Sequence, residues 1–241
     1  MKGTAGQTIS GIFGGFLGIA AALALALLFF PSKQYIALSN YLQILVAFAG
    51  AAVLCWYSLR QAGGPGLLWA AGAFALWGFA NIAWYAAAFF GAINLSYPGL
   101  VDIGFVASIL LLSSAFSRIS PRTQVKPSFL LALLVLVLVI PLAILATGGM
   151  TDKALMILLY FFACGLLIIT ALNHAFARRP AALAGTVLFA VTFMAYPLRE
   201  TFFAGNAVLS VLGPFAAAGF SLIVLGIIPA GTGPQAAPAE S

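Results

Sequence analysis

Apolar residues in this chain arrive in long unbroken runs. They lack both the period of two that marks a half-buried strand and the 3.6-residue stripe of a helix lying on a water-soluble core. Leu130 to Ile140, for example, holds no polar side chain. A helix needs about 20 apolar residues to cross the hydrocarbon core of a bilayer. Eight runs suit that length, at 11–30, 41–59, 67–91, 98–116, 128–146, 153–176, 181–203 and 208–228. Turn formers separate them: Pro31-Ser32, Gly63-Gly64-Pro65-Gly66, Pro121, Pro127, Gly148-Gly149 and Pro180. Every connection is short. Gly205-Asn206 marks the tightest, so the last two helices are expected to form an antiparallel hairpin. A closed β-barrel would need polar lumen residues at every second position, and the runs show no such alternation. The pattern predicts an all-α fold, a polytopic membrane helical bundle of about eight transmembrane helices. It forms one unit over 1–229, with a Gly, Pro and Ala rich tail at 230–241 expected to be disordered and cytoplasmic.

Composition strengthens this reading. Of 241 residues, 64% are hydrophobic and 6% charged, against roughly a quarter charged in an ordinary soluble domain. So few charges cannot cover a water-soluble surface, and the apolar exterior must face lipid. Cys55 and Cys164 both lie in apolar runs, where a thiol acts as a small hydrophobe. They argue for neither a disulfide nor a metal site.

The charges orient the bundle, because cytoplasmic loops collect Lys and Arg. Eight spans place Lys2, Arg60, Arg118, Arg122, Lys126, Arg178 and Arg179 on one side, and Lys33, Lys153 and Arg199 on the other. Asp102, Asp152 and Glu200 fall on the side poor in basic residues. Both termini are therefore expected in the cytoplasm (N-in/C-in), in the cell inner membrane. The net charge of +6 is a topology signal and a weak attraction to anionic lipid. No contiguous basic face exists for nucleic acid. The first run, opening after Lys2, has features of a signal peptide, but it is long for one and no clear cleavage site follows Phe30. Cleavage would leave seven helices.

Candidate chemistry is sparse. One histidine, His174, and four acids form no cluster at metal-ligand spacing, so no metal, cofactor or enzymatic activity is expected. His174 reads as an interfacial residue near a helix C-terminus. Gly11-Ile12-Phe13-Gly14-Gly15 resembles a phosphate loop only superficially, and glycines within a membrane helix more often permit close helix packing. The external face is richer, gathering Tyr97, Pro98, Asp102, Tyr196, Pro197, Arg199 and Glu200. Ionisable groups within membrane helices are functional candidates by default. Asp102 sits near the start of the fourth helix, where the dipole favours a carboxylate, and Arg199 and Glu200 sit near the end of the seventh. All three share one depth, with Asp102 and Arg199 the expected pair; the alternative is that each snorkels to the headgroups on its own. In the third helix Phe74, Trp77, Asn81 and Trp84 fall on one face. Asn81, near mid-membrane, needs a partner from another helix, water or a ligand. A ligand cleft lined by that face and capped by Asp102 competes with routine aromatic packing.

The segment Ser96-Tyr97-Pro98-Gly99-Leu100-Val101-Asp102-Ile103-Gly104-Phe105 resembles multi-helix membrane sensory domains of bacterial signalling proteins, which often precede diguanylate cyclase or histidine kinase modules. The likeness covers about 67–120, and more weakly 153–203, and carries Pro98 and Asp102 over as site positions. The chain departs from that pattern in having no output module after its last helix, so the resemblance implies a separate membrane or cytoplasmic partner. Ala216 to Ile223 and Ala195-Tyr196-Pro197 resemble the closing helices of microbial rhodopsins. Retinal attachment needs an intramembrane lysine, and Lys2, Lys33, Lys126 and Lys153 all lie at termini or helix ends. Pro197 to Phe203 resembles membrane carotenoid cyclases, without their second acidic repeat.

The leading expectation is a membrane sensory or small-ligand-binding module acting through a partner, with Asp102, Asn81, Trp77, Trp84, Tyr196, Arg199 and Glu200 at the ligand. A structural or assembly subunit of a larger membrane complex is the alternative. A transporter using helices broken near Pro141 and Pro214 is the third.

Overall fold

In the computed structural model, residues 2–60, 64–90, 99–119, 125–148, 154–173, 179–202 and 210–228 are described, without the side chains at 2–4, 88–90, 200 and 201. Tyr97, Pro98, Arg122, Asp152, Lys153, His174, Arg178, the Gly205-Asn206 turn and the 230–241 tail lie outside the described residues, as does the Glu200 side chain.

Eight helices follow one another: α1 Lys2–Phe29, α2 Lys33–Arg60, α3 Gly64–Phe90, α4 Leu100–Ile119, α5 Pro127–Gly148, α6 Ala154–Asn173, α7 Pro180–Phe202 and α8 Leu212–Ile227. No strand occurs among the described residues. Their ends follow ordinary capping chemistry. Ser32 precedes α2 and accepts the Tyr35 N–H on its Oγ at 3.3 Å, an N-cap. Pro127 and Pro180 occupy the first positions of α5 and α7, where no N–H is required. Gly64 takes a left-handed φ of 71° in the turn from α2 to α3, and the Ser58 hydroxyl closes that turn by donating to the Gly64 carbonyl at 3.0 Å.

Among the described residues, seven helices are long and apolar enough to cross a membrane, and α8, with 16 residues, is apolar but shorter. The chain is thus a multi-pass helical membrane protein. α1 begins at Lys2 rather than at 11, and a departure of nearly the same length is at α2, which begins at Lys33 rather than at 41. Its first turns carry Ser39, Asn40 and Gln43. A hydropathy threshold discards such a stretch, although helix geometry costs nothing extra when polar groups face inward.

Six helices close a ring, each packed on the next in the order α2, α3, α4, α6, α7, α8 and back to α2. Outside it, α1 lies against α8 and α2, and α5 lies against α6. Consequently α5 exposes large apolar side chains such as Phe129, Leu131, Leu136 and Leu142, as a lipid-facing helix does. Lipid offers no hydrophobic drive to bring helices together, so small residues that allow close approach do much of that work. Along the seam of α7 and α8 a Cβ on Gly185 would stand 2.6 Å from the Gly219 carbonyl oxygen, and one on Gly219 would stand 2.9 Å from the Phe189 Cβ.

The middle of the ring is filled by aromatic side chains. Trp77 of α3, 1% exposed, meets Phe105 of α4, Phe189 and Phe193 of α7, and Phe220 of α8, with ring centroids 4.1 to 5.4 Å apart. These are the tilted and edge-to-face distances that aromatic quadrupoles favour. The Trp77 indole N–H has no hydrogen-bond acceptor among the described residues, so Trp77 serves by volume. Toward one end the ring is tied by cations. Arg179 donates to the Ile227 carbonyl at 2.7 Å, capping the C-terminus of α8, and the Arg118 guanidinium lies 4.3 Å from the Trp69 ring centre.

Candidate functional site

At the opposite end the ring is hollow. A cavity of about 270 Å³ opens there, near the lower limit of roughly 300 Å³ for small-molecule pockets. It draws on the N-terminal turns of α2, α4, α6 and α8 and the C-terminal turns of α3 and α7. An up-and-down bundle brings those turns to one level, so every helix of the ring contributes. Phe105 and Phe193 belong both to this lining and to the aromatic packing around Trp77. They form the floor.

Asp102 sits in the first turn of α4, and its Oδ2 accepts the Gly99 N–H at 3.0 Å, the backward half of a capping box. Its Oδ1 accepts the Tyr160 hydroxyl of α6 at 3.2 Å. A single carboxylate therefore finishes α4 and ties it to α6 at the cavity wall. Arg199, in the last turn of α7, lines the same cavity. The two hydrogen-bond partners of Asp102, however, are Gly99 and Tyr160 rather than Arg199.

The face predicted on α3 divides by depth. Phe74 and Trp77 are buried in the aromatic packing, and the next inward positions, Asn81 and Trp84, line the cavity. Asn81 is 7% exposed and finds its partner within its own helix, its Nδ2 donating to the Trp77 carbonyl at 3.2 Å. Tyr196 also lines the cavity and stacks on Phe193 at 5.2 Å. Of the seven expected residues, five (Asp102, Asn81, Trp84, Tyr196 and Arg199) meet at one cavity, Trp77 lies beneath it, and the Glu200 side chain is outside the described set.

Several lining residues escaped sequence reasoning. Ser39, Asn40 and Gln43 of α2 are polar at nearby helical positions; a span started at 41 leaves out Ser39 and Asn40 and keeps Gln43 as a lone amide. Gln43 is 1% exposed, and its Nε2 donates to the Asn40 Oδ1 at 3.3 Å. Gly213 lets α8 approach this wall, since a Cβ there would stand 2.5 Å from the Ser39 Oγ. Tyr160 carried no sequence signal, because a tyrosine in a membrane helix reads as an interfacial anchor. Pro197 has no N–H to offer the Phe193 carbonyl one turn earlier, and both residues line the cavity.

Among the described residues no three His, Cys, Asp or Glu side chains are grouped to hold a metal ion. The chain matches no family model, no curated protein and no solved structure. Fold and cavity define the class: a multi-pass helical membrane protein with a polar-rimmed, aromatic-floored hollow at one end of a six-helix ring.

Proposed function

We propose that this chain is a membrane-embedded module that binds a small amphipathic ligand and passes the event to a partner protein, in the manner of the sensory domains that 96–105 resembles. One observation carries the reading: a single cavity touches all six helices of the ring. A ligand seated there meets every interface that fixes the ring's packing, and one that fits two packings unequally shifts the balance between them. The link from Asp102 to Tyr160 is the contact most directly exposed to such a ligand, since both residues line the cavity. The inventory suits binding rather than catalysis, and the output rests with the partner.

The test is extraction of small molecules that co-purify with the full chain from its native membrane, comparing wild type with Asp102→Asn at equal helicity by circular dichroism. A compound enriched with wild type and depleted with the variant is expected. Identical extracts would remove the reading's main support.

An assembly role is the second reading, and one observation favours it. On α1, Cβ atoms added at Gly11, Gly14, Gly15 and Gly18 would meet nothing within 4 Å, leaving a face on which another helix can pack closely. The same purification separates the two readings. A stoichiometric complex with redox or transport subunits, together with unchanged extracts, favours assembly.

A further inference from the structure

The acceptors in the cavity lining bear on the ligand's head group. Three acceptors with spare capacity belong to its lining. The Asp102 carboxylate has one donor on each oxygen, whereas a carboxylate offers about four lone-pair sites. The Asn81 amide has given its nitrogen to the Trp77 carbonyl, which only accepts, so Oδ1 is the atom left over. That side chain is more than nine-tenths buried. The Phe193 carbonyl lacks the N–H that any residue other than Pro197 would supply. On the donor side, the Tyr160 hydroxyl gives its proton to Asp102 and the Ser39 hydroxyl gives its own to the Ile36 carbonyl at 2.8 Å, while Asn40, Gln43, Trp84 and Arg199 also bring N–H groups to the lining. The acceptors belong to residues that line the cavity, so a ligand that supplies N–H groups has places to donate them. Trp84, Phe105, Phe193 and Tyr196 give the lining an aromatic part, suited to a flat apolar body and to a cation held near ring faces.

We infer that the cavity takes a small aryl or alkyl amine, its protonated amine directed to Asp102 and Asn81 and its apolar body to the aromatic floor. This rests on the cavity being a ligand site, as proposed above.

The experiment titrates the purified full chain in lipid nanodiscs with three probes of one body size, 2-phenylethylamine, 2-phenylethanol and 3-phenylpropionate, by tryptophan fluorescence, since Trp84 lines the cavity. Saturable binding of the amine is expected, with the alcohol and the acid weaker by about tenfold or more, as loss of a charge-assisted hydrogen bond requires. Asp102→Asn should erase that preference. Asn81→Leu should weaken the amine selectively and provides a second variant if the first fails to fold. Equal or stronger binding of the alcohol or acid overturns the amine assignment and leaves the ligand site standing. Absence of saturable binding by all three overturns both.

Discussion

The same six helices build two unlike halves of one ring, and the contrast between them is instructive. Around Trp77 the ring is filled by Phe105, Phe189, Phe193 and Phe220 at ring-to-ring distances of 4.1 to 5.4 Å. One or two turns further along α3, at Asn81 and Trp84, it encloses about 270 Å³ of space. The same helices run through both halves; the side chains differ. Large planar groups pack ring against ring in one, whereas in the other Ser39, Asn40, Gln43, Asn81 and Gly213 are short or are held by local hydrogen bonds. One half fixes the ring and the other leaves it open to a ligand.

Substitutions break or sharpen this contrast in a graded order. Trp77→Ala should have the largest effect, destabilising by about 3–5 kcal/mol because the surrounding rings collapse only in part. Thermal unfolding in detergent would measure it, and Trp84→Ala should fall well below it in the same assay. Equal losses would mean that the two halves are packed alike. Gly213→Ala comes next, at about 1–3 kcal/mol, because its methyl would displace Ser39 or push α8 from α2. It should also shrink the cavity, read as slower labelling of a cysteine placed at Ser210 by a small thiol reagent. Tyr160→Phe removes one interhelical hydrogen bond to Asp102, worth on the order of 0.6 kcal/mol in a membrane. Its signature is a small drop in unfolding temperature alongside a clear change in ligand response; an unchanged response would detach Asp102 and Tyr160 from the site. Smallest of all, Leu136→Ala on the lipid face of α5 should stay within about 0.5 kcal/mol, a reference against which the ring positions are read.

Much of the fold was legible in the chain because the bilayer imposes it. Backbone polar groups must be satisfied within each segment, so runs such as that of α5, apolar throughout, allow only a helix. Asp102, Arg199 and Asn81 were legible as candidates because a charge or amide is rare in such a run, and Trp84 because it shares a helix face with Asn81. Ser39 and Asn40 were not, since the hydropathy that reveals a span also trims away the turns that line a cavity. Tyr160 was invisible for a different reason: the carboxylate it meets is 58 positions away in sequence.

By itself, then, the sequence determined that this is a bundle of apolar helices with short connections and a few ionisable side chains collected toward one level. Those properties are local, set by residue type and spacing. Only the tertiary structure decided that six helices close a ring while α1 and α5 stay outside, that Asp102 meets Tyr160 rather than Arg199, and that the ring is solid at Trp77 and hollow beyond it. These outcomes depend on which faces come together. In lipid that choice is made by the fit of small against large side chains across helices, a property of pairs that no single run of residues contains.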